Sequence, residues 1–210
     1  MAKKLNKKLV FVVGAATVSL GALFAFGLMW RLDTERFIRA GDQLAAEGDY
    51  RKAADAYGRA VNKKQNNIAY LEKFSGAILR IVPETQNEAN EKYQQYIGSL
   101  QLLARADRDN VLRWRPYLEA VIEQCEGLSS PAAWKNLSDR CDEALNAVRV
   151  GGTEEQVLKA YRGYAGMRRL DSLDEPQRLK TVEDLKTAAA TKDLTAVERD
   201  RVLGSLARIA

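Results

Sequence analysis

Any chemistry performed by this chain must be done without histidine, because its 210 residues contain none. That removes His-based nucleophile triads, His-ligated metals and the commonest general base. Cys125 and Cys141 are the only thiols. They flank the turn at Gly127–Ser130, Cys125 about four residues before it and Cys141 about eleven after it. An offset of that size separates them by on the order of 10 Å along the helix axes, beyond disulfide reach. Both lie on apolar stripes, where cysteine behaves as a small core residue, so both are expected free and buried. Asp171, Asp174 and Glu175 form an acidic cluster, but its position before a helical pattern suits helix capping better than acid–base work or calcium. Gly151-Gly152-Thr153 lacks the preceding strand and the Gly-Lys-Ser/Thr ending of a phosphate loop, and reads as a helix break. Trp114, Tyr117 and Trp134 have no basic groove around them and read as packing residues rather than a base-stacking platform. No catalytic, cofactor or metal site emerges. The residue types point to a binding or structural protein rather than an enzyme.

The charges are unevenly placed. There are 33 basic and 28 acidic side chains, a net of +5, and Lys3, Lys4, Lys7 and Lys8 supply four of the positive charges. From Arg31 onward the balance is 29 minus 28, or +1. A near-neutral body does not make a nucleic-acid surface, which needs clustered excess charge. With 46% apolar residues and four prolines, the chain is neither disordered nor collagen-like.

Leu9 to Trp30 is a run of 22 residues without a charge. At ~1.5 Å per residue a helix of that length spans roughly 33 Å, which matches a hydrocarbon core of about 30 Å. A cleaved signal peptide is the alternative, with a basic start and a small-x-small site at Ala25-Phe26-Gly27, but the run exceeds the usual apolar region of about 7–15 residues. The expectation is a signal-anchor: residues 1–8 a basic cytoplasmic tail, 9–30 a single transmembrane helix flanked by Trp30 and Arg31, and 31–210 a domain outside the cytoplasm of a bacterial cell. Thr17, Gly21 and Ala25 place a small-residue stripe on that helix, through which two spans can approach.

The rest of the chain carries helical periodicity. Apolar residues recur at steps of three and four in Ile68–Val82, Ala89–Leu103, Val111–Cys125 and Trp134–Val148. Ser130-Pro131 reads as a helix start. Thr153 with Gln156, Asp174 with Gln177 and Thr195 with Glu198 have capping-box spacing or a close variant. Gly48, Gly127 and Gly151-Gly152 read as helix ends. The predicted helices are 34–47, 49–64, 67–82, 86–106, 110–126, 131–149, 153–169, 175–190 and 194–209. Short loops make neighbours antiparallel, and hairpin starts near 34, 67, 110, 153 and 194 are spaced by 33, 43, 43 and 41 residues. Such a period predicts an all-α protein whose antiparallel hairpins stack as an α-solenoid.

The segment Phe37–Ala60, FIRAGDQLAAEGDYRKAADAYGRA, resembles a tetratricopeptide repeat. Phe37 takes the early aromatic position, Gly41 the small one, Tyr50 follows the Gly48-Asp49 turn, and Ala53, Tyr57 and Ala60 match the small-aromatic-small series of the second helix. Leu44, Ala40 and Gln65 depart from the pattern. A second unit from Ile68 keeps Ala89 and Tyr93, so 34–106 is the tetratricopeptide-like part and 110–210 consists of divergent helical hairpins. The resemblance implies a groove lined by the first helices and a protein or peptide partner. The carboxylate-gripping positions of one version of the family hold Ile38 and Asp42 here, with Ala69 and Lys73 next door, so that clamp is missing. Asp42, Glu72 and Lys73 are the candidate partner-binding side chains. The expected function is a membrane-anchored scaffold for another protein, in secretion or envelope assembly. The alternative is a spacer or self-associating scaffold, suggested by the stripe Val202, Leu206 and Ile209 on the last helix.

Overall fold

A computed structural model describes residues 21, 34–128, 130–148 and 151–209. Among them there are nine α-helices, one 3₁₀ turn and no strand. We number the helices α1 (residues 34–46), α2 (Tyr50–Lys63), α3 (Ile68–Arg80), α4 (Gln86–Ala106), α5 (Val111–Leu128), α6 (Pro131–Leu145), α7 (Thr153–Met167), α8 (Glu175–Ala189) and α9 (Ala196–Ile209). No helix among the described residues is long and apolar enough to cross a membrane. The anticipated span 9–30, apart from Gly21, and its flanks Lys3, Lys4, Lys7, Lys8, Trp30 and Arg31 lie outside the described residues.

Local chemistry sets the helix ends. Gly48, at φ +83°, turns the chain after α1 in a conformation that glycine alone adopts without strain. Asp49 then caps α2 by accepting the Lys52 N–H, Asn67 caps α3 through Tyr70 and Thr85 caps α4 through Glu88. Lys92 of α4 reaches back to the carbonyls of Leu79 and Ile81, satisfying acceptors left open where α3 stops. Asp174 and Gln177 form a reciprocal capping box, and Thr195 and Glu198 form another.

Four expectations need correction. Helix α3 stops at Arg80 rather than Val82, because Pro83 bars the preceding residue from helical backbone; Val82 is 81% exposed instead of sitting on the stripe. Gly127 does not end its helix, which runs on to Leu128. Helix α6 ends at Leu145 and gives way to a turn at Asn146, although Val148 is still buried. Thr153 is the first helical residue and not a cap; Gly152 holds the cap position, and the Glu155 carboxylate instead accepts the Gly151 N–H.

Each helix packs on the next, and alternate helices are tied as parallel neighbours. Arg51–Glu88 links α2 to α4, and Arg105–Glu143 links α4 to α6. Glu35–Tyr70 links α1 to α3, and Glu72–Arg113 links α3 to α5. The even helices thus make one row and the odd helices another, the arrangement of stacked hairpins in an α-solenoid-like fold. Between the rows runs one core, in which Leu71, Ile78, Trp114, Leu118, Ile122, Leu137, Leu158 and Leu185 are nearly or wholly excluded from solvent.

Candidate functional site

The odd row begins with a close helix contact. A Cβ on Gly41 would stand 2.6 Å from Tyr57 Cδ1, so only glycine lets the Tyr57 ring lie across α1. Ala53, Tyr57 and Ala60 are buried, while Phe37 and Tyr50 are half-buried. The ring's placement brings the Tyr57 hydroxyl to Asp42, to which it donates at 2.7 Å. Lys73 of α3 approaches the same carboxylate at 2.5 and 2.7 Å. Partial burial disfavours the Asp42 charge, but the bonds from Lys73 and Tyr57 outweigh it and leave the carboxyl below its usual range. Burial first, and then the Asp42 carboxylate, push the Tyr57 hydroxyl up.

The structure therefore brings two of the three predicted contact residues together, as partners of one another. The third, Glu72, faces α5 and accepts from Arg113 Nη2 at 2.5 Å, while Arg113 Nε lies 3.5 Å from Asp107. These pairs remain partly open: 41% and 45% of the Lys73 and Asp42 side chains are exposed, and 31% and 48% of Arg113 and Glu72. Ile38 is buried and Ala69 exposed, so the positions next to this line carry no additional charge.

Two polar networks escaped the sequence reading. Around Tyr161 of α7, the hydroxyl lies 2.7 Å from Glu198 Oε1 on α9 and 2.9 Å from Glu119 Oε1 on α5. Arg201 grips both Glu119 oxygens at 2.8 and 2.7 Å, and Arg115 Nε stands 3.1 Å from Glu198. Two cations thus balance two carboxylates, one of which, Glu198, is only 3% exposed. Burial, with the neighbouring carboxylates, raises the Tyr161 hydroxyl far above its ordinary value. The space beside the cluster is about 10 Å³, room for at most one water.

The neighbouring side chain, Arg162, points the other way. Its guanidinium forks onto Asp184 of α8 at 2.6 and 2.8 Å and reaches Asp142 of α6 at 2.6 Å. Burial opposes the charge, yet these bonds raise the guanidinium's pKa further. One signal for the first network was present, since Glu198 had capping spacing: one of its oxygens accepts the Thr195 N–H while the other faces Tyr161.

Nothing in the described residues offers a metal site, since no group of three or more His, Cys, Asp or Glu side chains converges. Cys125 and Cys141 are free and buried, as expected, and burial raises both thiols so that neither is a ready nucleophile. Trp114, Tyr117 and Trp134 are buried packing residues, and Trp134 meets Tyr164 edge-on at 5.6 Å. Asp174 caps α8, whereas Asp171 sits in the 3₁₀ turn Leu170–Ser172 before it. Open grooves lie on the outside. One of about 530 Å³ runs between α1 and α2 on the side away from α3, and one of about 350 Å³, rich in glutamine, crosses α4, α5 and α6.

Fold and surface together define an all-α protein of stacked antiparallel hairpins with surface ion pairs joining its alternate helices. No protein-family model matches the chain, and no curated protein matches it.

Proposed function

We propose that this chain is a membrane-anchored scaffold of tetratricopeptide-like hairpins that binds a protein or peptide partner outside the cytoplasm. The uncharged run 9–30 behind four lysines supports the anchor and its orientation. One observation carries the binding role: Asp42–Lys73 and Glu72–Arg113 cross from helix to helix at a half-open surface. A charged segment laid along α1, α3 and α5 exchanges these internal partners for its own without unfolding the row. Exposed pairs of this kind contribute little stability, typically under ~1 kcal/mol, so the exchange is not opposed by the fold. Of the stripe behind the self-associating alternative, Val202 is buried and Leu206 and Ile209 are half-buried against the core.

The test places a photocrosslinking residue at Ala69, exposed on α3, in the full-length chain in its native membranes. A discrete hetero-adduct is expected, and it should disappear when Asp42→Lys and Lys73→Asp reverse the surface pattern while preserving the internal pair. Adducts only between copies of this chain, or an adduct indifferent to the reversal, would overturn the reading. A C-terminal reporter active only outside the cytoplasm checks the orientation in the same strain.

A further inference from the structure

We infer that the open face of the first hairpin is a docking surface for the anionic headgroups of the membrane, an inference that rests on the proposed anchor. The groove of about 530 Å³ between α1 and α2 has an apolar floor that includes Phe37, Ala40 and Leu44, and its charged lining is Arg36, Lys52 and Arg59 against the single carboxylate of Asp55. Only residues of α1 and α2 line this groove. Arg36 and Arg39 are exposed and have no ion-pair partner among the described residues. Arg59 and Lys63 stand 6.0 and 5.2 Å from the Phe37 ring centroid, so the largest apolar group in the floor is overhung by cations. An apolar patch under a basic rim matches the boundary between headgroups and acyl chains, where an aromatic ring sits low and guanidinium groups meet phosphate.

Two further facts select lipid over a protein occupant. The first is charge by region. Residues 34–64 carry seven basic and five acidic side chains, a net of +2, whereas 65–210 carry 21 and 22, a net of −1. The first hairpin thus carries a net positive charge, while the remainder of the body is close to neutral as a whole. The second is position. Only residues 31–33 separate the uncharged run from α1, and three residues extend at most ~11 Å, so this hairpin is the part of the domain held against the bilayer. Docked in this way, the stack stands with its first hairpin down and the rest of both rows directed away from the membrane.

The experiment uses the full-length chain in nanodiscs of pure phosphatidylcholine or of phosphatidylcholine with 40% phosphatidylglycerol, read by amide hydrogen exchange at low salt. Peptides covering 34–64 should exchange more slowly in the anionic discs, with no change in α5 to α8, and 0.5 M salt should erase the difference. The double variant Arg36→Gln, Arg59→Gln removes two charges, each worth about fivefold near an anionic surface, and is expected to weaken docking about 25-fold. Glutamine keeps the helix propensity of arginine, and an unchanged exchange pattern in α5 to α8 certifies the fold. Equal exchange of 34–64 in both discs with the chain firmly embedded would overturn the docking surface alone. So would protection spread evenly along the chain, or protection insensitive to the double variant. A chain recovered outside the discs would overturn the anchor and the docking surface together.

Discussion

Substituting Gly163 by alanine should destabilise the protein even though alanine is the better helix former. Helices α7 and α8 approach each other at Gly163 so closely that a Cβ there would lie 2.8 Å from Leu185 Cγ, 2.9 Å from Cδ2 and 3.2 Å from the Leu185 backbone nitrogen. Carbon atoms rest comfortably at about 3.5–4.0 Å, so the new methyl intrudes by several tenths of an ångström on both side chain and backbone. Leu185 has no room to yield, being 0% exposed. Overpacking of this kind costs about 1–3 kcal/mol, against which the helix gains up to about 1 kcal/mol from losing a glycine. The expected net effect is a loss of up to about 2 kcal/mol. Gly76 supplies the control. It lies inside α3, is exposed, and a Cβ there meets nothing within 4 Å, so Gly76→Ala should stabilise by the propensity term alone. Urea titrations followed by far-UV circular dichroism would compare the two variants at unchanged m value, where the gap between them isolates the packing term of about 1–3 kcal/mol. Equal stabilisation by both substitutions would refute the close approach of α7 and α8.

The polar networks make sharper demands. Asp184→Ala leaves Arg162 without its forked partner in the interior and should cost about 3–5 kcal/mol, whereas Asp142→Ala, whose side chain is 45% exposed, should cost under about 1 kcal/mol; thermal melts of the two variants check the contrast. Neither cysteine should react with a thiol reagent in the native state, and both should react once urea opens the helices. Asp42 and Glu143 titrate below the ordinary values of 3.8 and 4.5. Their contribution is thus full above those values and lost as pH falls through the lower folded ones, and unfolding midpoints should drop with acidification below about pH 4. The Tyr93 hydroxyl, pushed up to about 12 by burial and by Glu123, should remain un-ionised at pH 11 in an ultraviolet titration, and the stability it lends should fade as pH rises toward 12.

Helix content was legible because it is written locally. Steps of three and four, the Ser130-Pro131 start and the Asp174–Gln177 spacing each involve residues within two turns, and the observed helices follow them to within two residues at most ends and four at α6. Where the reading slipped, a local rule was outvoted. Pro83 ended α3 ahead of an apolar Val82, and Gly127 was tolerated in a helix because nothing crowds it. The partner of a surface charge is another matter. Asp42, Glu72 and Lys73 were recognisable as charges on the odd helices, but their pairings span 31 and 41 residues, and no spacing rule reaches that far. For the same reason the roles of Tyr161 and Arg162 were invisible, since they depend on helices α5, α6, α8 and α9 arriving around α7. Nothing local distinguishes Gly163 and Gly166, because their meaning lies in Leu185 and Thr181 on the next helix.

The Arg201–Glu119 bond joins residues 82 apart, while most other ties in the molecule join helices that are neighbours or next-neighbours along the chain. A chain wired mainly through near contacts assembles piece by piece, each hairpin adding to the last without waiting for distant parts. Helix α9 packs on α8 and α7 like the others and adds side-chain ties that reach back to α5, from Arg201 to Glu119 and from Glu198 to Arg115. Closing a loop of that length from an open chain costs about 4 kcal/mol of entropy, a cost that is largely absent once the intervening helices have packed. Its seat is built by α8 and α7, with α5 reached through Glu119 and Arg115. The full set of α9 contacts is therefore complete only when the hairpins from α5 onward are in register.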